Sequence, residues 1–315
     1  MKINKQMEPI EKNKLTDVKS NGHRNGQAKG DRLDVMKTYK IYIDGKFPRT
    51  ESGRYYTLEN SSGKTIANIC RSSRKDFREA VVAARKAQSG WASKSAYNRG
   101  QILYRIAEML EGRRDQFITE IIEQGSSSSL AETEVNISID RLVYYAGWCD
   151  KYQQVFSAVN PVESSHFNFS VPEPMGVIAV LSPETFGLLG LVSLIIPAIA
   201  GGNTVVALAS NSKPLNAVTF GEVLNSSDVP GGVVNLLTGY RSELLSHFST
   251  HMDVNGLIYC GEDKEEIKKI KESASLNIKR VMVYNENELS EEKSQHPYRI
   301  MDLQEIKTTW HPIGQ

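Results

Sequence analysis

The chain has 315 residues, of which 40% are hydrophobic and 24% charged, and its formal net charge is +1 at pH 7. That length allows one large or two modest domains with a substantial core. The balanced charge gives no general attraction to nucleic acid or to an anionic membrane, and no apolar run is long enough to span a bilayer. The three cysteines are widely spaced and form neither a disulfide framework nor a metal-ligand pattern, so we expect a cytoplasmic protein without a metal site.

The first part of the chain predicts a tail followed by helices. Residues 1–37 are rich in Lys, Asn, Asp and Gly with little to bury, which predicts a disordered tail. Alternation over 39–46 ends at an Asp-Gly pair and predicts a hairpin. Ser73 followed by Asp76 predicts a helix start. Apolar spacing predicts further helices near 102–110 and over 130–152, all of them packing elements without clustered chemistry.

In the next segment the spacing of the apolar residues changes from that of a helix to that of a strand. Apolar and polar residues alternate over 156–171, which predicts a strand whose buried face carries Phe167 and Phe169. Pro172 and Pro174 follow this run. Because proline cannot donate to a strand ladder, we expect them to keep the strand away from the centre of a sheet.

From Val177 onward, short apolar runs alternate with helical patterns, which favours a parallel, doubly wound sheet. Such sheets bind ligands at the carboxyl ends of their strands. The predicted strands are Val177–Leu181, Thr204–Leu208, 233–237, 257–260 and 281–284. The predicted helices are Leu188–Ala200, 215–224, 242–249 and 265–275.

The end of the chain predicts a polar connector over 285–301 and then a strand. Ile306, Thr308 and Trp310 alternate along that strand and therefore share one face. We expect Trp310 to lie on its buried side.

Several motifs in the right order resemble the aldehyde dehydrogenase superfamily. They are Tyr-Ala-Gly-Trp at 145–148, Pro-Glu-Pro-Met-Gly-Val at 172–177, Pro-Glu-Thr-Phe at 183–186, Gly-Asn-Thr-Val-Val at 202–206 and Asn-Leu-Leu-Thr-Gly at 235–239. The resemblance implies an α/β fold: a Rossmann-like, doubly wound parallel sheet of about five strands with an N-terminal helical portion and a β oligomerisation arm.

The same resemblance implies a domain plan. Residues 38–155 and 173–284 correspond to the family's nucleotide-binding domain, and residues 156–172 and 302–315 to its oligomerisation arm. The family's catalytic domain would lie between these parts. Because the connector 285–301 is all that separates them, we expect the catalytic domain to be absent.

Carried over to this chain, the family's catalytic groups are replaced. The amide that stabilises the oxyanion falls on Thr185, whose hydroxyl is shorter and less fixed. The general-base glutamate falls on Tyr284, which is protonated at neutral pH and a poor base. None of the three cysteines matches the nucleophile, so no catalytic residue is predicted.

The family's cofactor contacts are altered as well. The Lys and Glu that hold the adenosine ribose fall on Leu208 and Asn211, and a glycine near the adenine falls on Arg241. The helix start that meets the pyrophosphate becomes Gly-Glu-Asp at 261–263, whose carboxylates would repel phosphate. The vestigial cofactor positions are Ser182, Pro183, Leu208, Asn211, Gly239 and Gly261.

Three functions remain compatible with these residues. The first is a non-catalytic subunit, structural or regulatory, that assembles through its β arm with itself or with a complete aldehyde dehydrogenase and uses no cofactor. The second is an NAD- or NADP-dependent dehydrogenase whose active site a partner subunit completes. The third is a sensor that binds another nucleotide or metabolite in the old cleft.

Overall fold

The computed structural model describes residues 36–314, so the predicted disordered tail lies outside the described residues except for its last two positions. The helices are α1 (Arg74–Ala92), α2 (Ala96–Glu111), α3 (Arg114–Glu123), α4 (Ser128–Trp148), α5 (Tyr152–Phe156), α6 (Leu188–Ala200), α7 (Leu215–Asn225), α8 (Arg241–Thr250), α9 (Lys264–Ser275) and α10 (Tyr298–Met301). The strands are β1 (Thr38–Tyr39), β2 (Tyr55–Glu59), β3 (Thr65–Cys70), β4 (Ala158–Asn160), β5 (His166–Pro174), β6 (Val177–Leu181), β7 (Thr204–Leu208), β8 (Val234–Leu237), β9 (Gly256–Cys260), β10 (Arg280–Tyr284) and β11 (Gln304–Pro312).

The centre of the fold is a five-stranded parallel sheet in the order β10-β9-β6-β7-β8. Strands β6, β7, β8 and β9 are buried on both faces, which is why they read as continuous apolar runs, while the edge strand β10 is partly exposed. Ile178 and Val180 of β6 pack into the core on the side of α2, α4, α6 and α7, while Val177 and Ala179 pack with α1 and α8 on the other side. The predicted Rossmann-like, doubly wound α/β fold is therefore confirmed.

Helix α1 begins where the sequence predicts. The Ser73 side chain accepts hydrogen bonds from the backbone of Lys75 and Asp76, and the Asp76 carboxylate accepts one from Ser73 N at 2.7 Å, which completes a capping box. At the other end, Trp91 is buried and its indole Nε1 donates to the carbonyl of Ile199 at 2.9 Å. This bond fixes α1 against α6.

The hairpin predicted over 39–46 is confirmed at its Asp-Gly turn, where Ile43 and Lys46 exchange both backbone hydrogen bonds, but it extends no further. The chain before this turn pairs elsewhere. Tyr42 N donates to Leu236 O at 2.9 Å, and Leu236 N donates to Tyr42 O at 2.8 Å. The backbone groups of Tyr42 are therefore satisfied by β8 instead of by a partner strand across the turn.

Strands β11, β5 and β4 form a separate antiparallel sheet, here called the arm sheet, with β5 in the middle. The expectation that the prolines would exclude this strand from a sheet centre is wrong. Strand β4 reaches only as far as Ser170, so Pro172 and Pro174 lie beyond its end and have a neighbour on one side only. Their missing N–H groups cost no ladder bond on the side of β4. Strand β5 also continues to Pro174, past the predicted arm boundary at 172.

The predicted faces of the arm sheet are also wrong. Phe167 is 45% exposed, whereas Asn168, on the opposite face, is 3% exposed and is bonded by the Asn160 amide at 2.6 Å. Trp310 is 57% exposed and contacts the ring of His166 edge-on. The alternation correctly predicts a strand, but Phe167 lies on the face opposite Asn168, and Trp310 remains accessible although it is the cross-strand neighbour of Asn168.

The segment over 285–301, predicted as a connector, is folded onto the core. It contains two 3-10 turns and α10, and it buries Leu289 and Ile300. The guanidinium of Arg141 on α4 holds it by donating to the carbonyls of Leu289 and Glu291 and to the Ser294 hydroxyl. This segment leads from the end of β10 to β11.

Within residues 36–314, every helix is too short or too polar to cross a bilayer.

A buried lysine predicts a pH-dependent stability. Lys279 is 7% exposed, and its ammonium donates to the carbonyls of Ser249 and His251 at 3.0 Å each. Burial lowers the pKa of Lys279 to about 8 from its ordinary value of 10.5. Because the folded chain binds this proton less tightly than the unfolded chain, the charged lysine costs stability below about pH 8, and the cost disappears as the pH rises to 10.5.

Lys279→Met removes this cost together with the two hydrogen bonds, so its stability relative to the unsubstituted chain is expected to be highest near pH 7 and to fall between pH 8 and 10.5. Urea denaturation at a series of pH values measures the difference in the free energy of unfolding. The exposed Lys271, replaced in the same way, is the matched control. A difference for Lys279→Met that does not change with pH would show that its charge carries no cost.

Candidate functional site

The order of the parallel sheet reverses between β6 and β9, and the crevice beyond the carboxyl ends of these strands is the expected ligand site of such a fold. Most of the predicted site residues end or follow the parallel strands, so the structure brings them to this one edge. Ser182 follows β6, Leu208 ends β7, Gly239 follows β8, Gly261 follows β9 and Tyr284 ends β10.

The loop after β6 is tightly packed. Ser182 is buried, its N–H donates to Leu208 O at 3.1 Å, and its carbonyl accepts from the Arg241 guanidinium. Pro183 lies against the first turn of α6, where a Cβ added at Gly190 would meet the proline ring at 2.6 Å. The backbone carbonyl of Ser182 is therefore already satisfied within the chain.

Thr185 is exposed, but its donors are engaged. Its hydroxyl donates to Glu286 Oε2 at 2.7 Å and its N–H donates to the same oxygen at 3.3 Å. Its carbonyl accepts from Lys213 Nζ at 2.7 Å. Glu286 thus takes the hydrogen bonds that Thr185 could offer to a developing oxyanion.

Tyr284 is held as a neutral donor. Its hydroxyl donates to Asp302 Oδ2 at 2.8 Å, and the Arg299 guanidinium lies 3.5 Å from the centre of its ring. Burial and the neighbouring Asp302 carboxylate raise the pKa of Tyr284 well above its ordinary value of 10. A phenol that stays protonated and bonded to a carboxylate cannot serve as a general base.

Glu184 follows β6 in the chain, but its carboxylate reaches into the loop after β7. Its carboxylate accepts from Asn211 N at 3.2 Å, from Ser212 N at 3.0 Å and from the Ser210 hydroxyl at 2.8 Å. Burial raises the pKa of Glu184, but these hydrogen bonds, with Ser212 N the largest, outweigh burial and hold the pKa below its ordinary value. The side chain is therefore a carboxylate fixed on two backbone amides at neutral pH.

The two positions predicted to face a ribose do not do so. Leu208 is 2% exposed and packs in the core around β6 and β9. Asn211 donates its N–H to Glu184, and its carbonyl accepts from the Tyr56 hydroxyl at 3.3 Å. Neither residue offers a ribose a free charged group.

Arg241 fills the cleft between the loops after β6 and β9. Its guanidinium pairs with Glu266 at 3.3 Å, lies 3.8 Å from Glu184 and sits 5.3 Å from the centre of the Tyr259 ring. The open groove beside it has a volume of about 420 Å³. Its lining residues are Glu184, Asn211, Ser212, Tyr240, Arg241, Ser242 and Glu266.

The first turn of α9 is capped by the chain itself. The Asp263 carboxylate accepts from Glu265 N at 2.9 Å and from Glu266 N at 3.0 Å. At Gly261 a Cβ would lie 3.0 Å from the Tyr259 hydroxyl, so the approach to this turn is filled as well. Gly239 is similarly close to the backbone of Ser72, at 3.2 Å.

The first turn of α6 receives a carboxylate from another helix. Glu134 of α4 is buried and accepts from Leu188 N at 2.8 Å and from Leu189 N at 3.1 Å. Burial raises the pKa of Glu134, while these two amides lower it in part. Glu134, Glu184 and Asp263 together occupy backbone amides that could otherwise receive an anion.

The sequence predicted the substituted positions but not these interactions. Glu184 belongs to the Pro-Glu-Thr-Phe motif at 183–186, but the sequence analysis assigns it no role. Its position just after a parallel strand is the signal that could identify it as a site residue. Glu134 and Glu286 carried no local signal. Within the described residues, no group of three or more His, Cys, Asp or Glu side chains could hold a metal ion, and all three cysteines are buried.

Burial keeps the thiols unreactive. It raises the pKa of Cys149 and of Cys260 to about 12 each. Because the thiolate is the nucleophile, neither group is ionised near neutral pH.

Comparison with known proteins identifies the family. The profile described as the aldehyde dehydrogenase family matches residues 47–285. The chain is 31% identical over 256 residues to cytosolic 10-formyltetrahydrofolate dehydrogenase of Mus musculus, covering 79% of this chain and 28% of that protein. It is also 31% identical over 244 residues to an aldehyde dehydrogenase of Davidiella tassiana, covering 76% and 49%.

A solved structure agrees with this assignment. PnpE from Pseudomonas sp. WBC-3, in complex with nicotinamide adenine dinucleotide, matches with a TM-score of 0.74 at 26% identity, covering 78% of this chain and 50% of that one. The chain thus spans about half or less of the length of these relatives. It belongs to the aldehyde dehydrogenase family.

Proposed function

We propose that this chain is a non-catalytic aldehyde-dehydrogenase-like subunit, structural or regulatory, that assembles through its arm sheet with itself or with a complete aldehyde dehydrogenase. The observation that carries the proposal is the occupation of the carboxyl edge by Glu134, Glu184 and Asp263. Each of these carboxylates satisfies two backbone amides where a dinucleotide phosphate would need free donors.

The residues at this edge do not fit NAD or NADP. A phosphate at the loop after β7 would have to displace Glu184 from Asn211 N and Ser212 N. Hydrogen bonds to a charged group contribute about 1.5–3 kcal/mol each, so this displacement would cost several kcal/mol. The arriving anion would also meet the Asp263 carboxylate at the start of α9. Arg241 is the one cation among the described residues that line the groove, and it already pairs with Glu266 and donates to Ser182 O.

The engaged states of Thr185 and Tyr284 support the absence of catalysis. Both side chains donate to carboxylates, those of Glu286 and Asp302. A group that stabilises an oxyanion or removes a proton must be free to meet the reacting atoms. These contacts leave neither side chain in that position.

The arm sheet supports the assembly half of the proposal. Ile306 and Trp310 on β11 are 55% and 57% exposed, and Val159 on β4 is 68% exposed. A long edge strand with exposed apolar side chains is an aggregation liability unless another chain covers it. A protein partner on β11 would remove both the apolar exposure and the unpaired edge.

Ligand titration tests the non-catalytic half. With 1 mM NAD or NADP, the melting temperature is expected to rise by less than about 1 °C, since a dissociation constant above about 1 mM stabilises the fold by under about 0.4 kcal/mol. A complete aldehyde dehydrogenase measured in parallel provides the positive control. Saturable stabilisation of this chain by either dinucleotide, or oxidation of an aldehyde by the purified chain, would contradict the proposal.

The similarity to PnpE, which was solved with nicotinamide adenine dinucleotide, favours one alternative. In that alternative a partner subunit completes an NAD- or NADP-dependent site on this chain. It predicts that dinucleotide binding appears only after the partner is added, which the same titration on the mixed sample measures.

A further inference from the structure

The backbone groups on the outer edge of β11 belong to its even-numbered residues. Ladder bonds at both ends of the β5–β11 pair join odd-numbered residues: Ile313 N donates to Ser165 O, and Met175 N donates to Leu303 O. Because bonded pairs recur every second residue in an antiparallel ladder, the odd-numbered residues of β11 bond to β5. The N–H and C=O groups of Ile306, Thr308 and Trp310 therefore point outward.

Within the part of the chain that the structure describes, β5 is the only neighbour of β11 in the arm sheet. The strand spans nine residues, Gln304–Pro312, and Thr308 is its midpoint. An antiparallel copy of β11 centred on Thr308 would therefore overlap it along its full length. The resulting cross-strand pairs are Gln304 with Pro312, Glu305 with His311, Ile306 with Trp310, Lys307 with Thr309, and Thr308 with Thr308 of the second copy.

Every interior pair in this register is compatible. Ile306 opposite Trp310 is an aromatic and β-branched pair, a type that stabilises sheets. The Glu305 carboxylate lies opposite the His311 ring, and Lys307 lies opposite an uncharged residue. No like charges face each other, and the proline at 312 falls at the last position of the strand, where a missing N–H costs least.

Antiparallel registers with the two-fold axis at another residue of β11 are less favourable. A two-fold axis at Lys307 would place that lysine opposite its own copy, and like charges directly opposite are destabilising. An axis at Thr309 would place Lys307 opposite His311 and shorten the overlap. An axis at Ile306 would leave Trp310 beyond the end of the paired strand. Centring on Thr308 alone combines full overlap with paired side chains.

Side-chain hydroxyls reinforce the same centre. On one face of the arm sheet, Asn160 Nδ2 donates to Ser170 Oγ at 2.9 Å, and Ser170 Oγ is bonded to Thr308 Oγ1 at 2.8 Å. Thr308 opposite its own copy would continue this row of polar contacts across the two-fold axis. Cross-strand threonine pairs contribute to sheet stability.

We propose that a second copy of this chain pairs antiparallel with β11 in the register that sets Thr308 opposite Thr308, which joins two arm sheets into one six-stranded sheet. This inference rests on the proposed function, because it names the partner that the arm takes. The self-complementarity of the strand selects a second copy over a different protein. A complete aldehyde dehydrogenase on the same edge is then an outcome that would overturn it.

A cysteine introduced at the axis tests the register. Residues of a bonded antiparallel pair have Cα atoms about 5.5 Å apart, within the range that a disulfide bridges. Thr308→Cys is therefore expected to form a cross-linked dimer on mild oxidation. Ile306→Cys is the matched control, since its own copy would lie roughly 14 Å away. The three native cysteines are buried and do not compete.

A proline at the same position tests the edge. Thr308→Pro removes an outward N–H from each copy, so the dimer dissociation constant is expected to rise at least about 30-fold. Amide hydrogen exchange at Phe169 and Thr309, which pair within one chain, should show that the arm stays folded. Dissociation constants come from sedimentation or native mass spectrometry at micromolar concentrations.

The outcomes separate the two proposals. A dimer that cross-links at Thr308→Cys and not at Ile306→Cys supports the register, whereas the reverse result or an uncross-linked dimer overturns it. A chain that stays monomeric overturns self-pairing. If that monomer binds a complete aldehyde dehydrogenase and no dinucleotide, the proposed function stands without this inference. If the chain binds NAD tightly by itself, the proposed function fails whatever its oligomeric state.

Discussion

Arg141→Ala is expected to lower the free energy of unfolding by about 2–4 kcal/mol. The guanidinium is 1% exposed, and burial lowers the pKa of Arg141 to about 10. Removing the charge recovers some desolvation free energy, but the substitution leaves buried acceptors without a donor and opens a cavity. Those acceptors are the carbonyls of Leu289 and Glu291 and the hydroxyls of Ser193 and Ser294. Urea denaturation measures the loss.

Two matched variants separate the causes. Arg141→Met fills most of the same volume without donating, so its difference from Arg141→Ala reports the cavity and its difference from the unsubstituted chain reports the hydrogen bonds. Arg78 is exposed on α1, and Arg78→Ala should change stability by less than about 0.5 kcal/mol. A fully stable Arg141→Met would show that the guanidinium is dispensable for holding the segment 285–303.

The position of the effect is as informative as its size. Residues 285–303 run from β10 to β11 and place Glu286 on Thr185. We therefore expect Arg141→Ala to increase hydrogen exchange over 286–296 more than in the central sheet. This segment, which lies where the family's catalytic domain would be inserted, buries Leu289 and Ile300 in the core, and its loosening would also free the Thr185 hydroxyl.

The sequence predicts the central sheet well because parallel strands are buried on both faces. The sequence predicts Val177–Leu181 and Thr204–Leu208 with the bounds that the structure has, since each run forms a strand in which every residue is buried. The arm sheet was harder. Alternation shows that Phe167 and Phe169 share a face, but which face the rest of the chain covers depends on contacts that no local pattern encodes.

In the candidate site as well, the sequence identifies some features and misses others. Leu208 and Arg241 were predicted as unsuited to a dinucleotide from their residue types alone, and their surroundings are consistent with that interpretation. Glu134 could not be found from the sequence because it reaches an amide 54 residues away through the packing of α4 on α6. Glu286 likewise contacts Thr185 at a separation of 101 residues. Contacts of that range arise from the tertiary fold.

Glu134→Ala is expected to destabilise the fold by roughly 2–4 kcal/mol, because it leaves the N–H groups of Leu188 and Leu189 buried without an acceptor. These amides begin α6, whose residues are all buried, so water cannot replace the carboxylate there without entering the core. Chemical denaturation gives the free energy, and amide exchange at Leu188 and Leu189 reports the local change.

Glu134→Gln separates the charge from the hydrogen bonds. The amide oxygen can accept from both N–H groups but carries no charge, and burial already raises the pKa of Glu134, which shows that the ionised form is penalised there. We therefore expect Glu134→Gln to retain most of the stability that Glu134→Ala loses. If glutamine were as costly as alanine, the full negative charge at the start of α6 would be essential. The first turn of that helix would then act as an anion site that the chain fills with its own carboxylate.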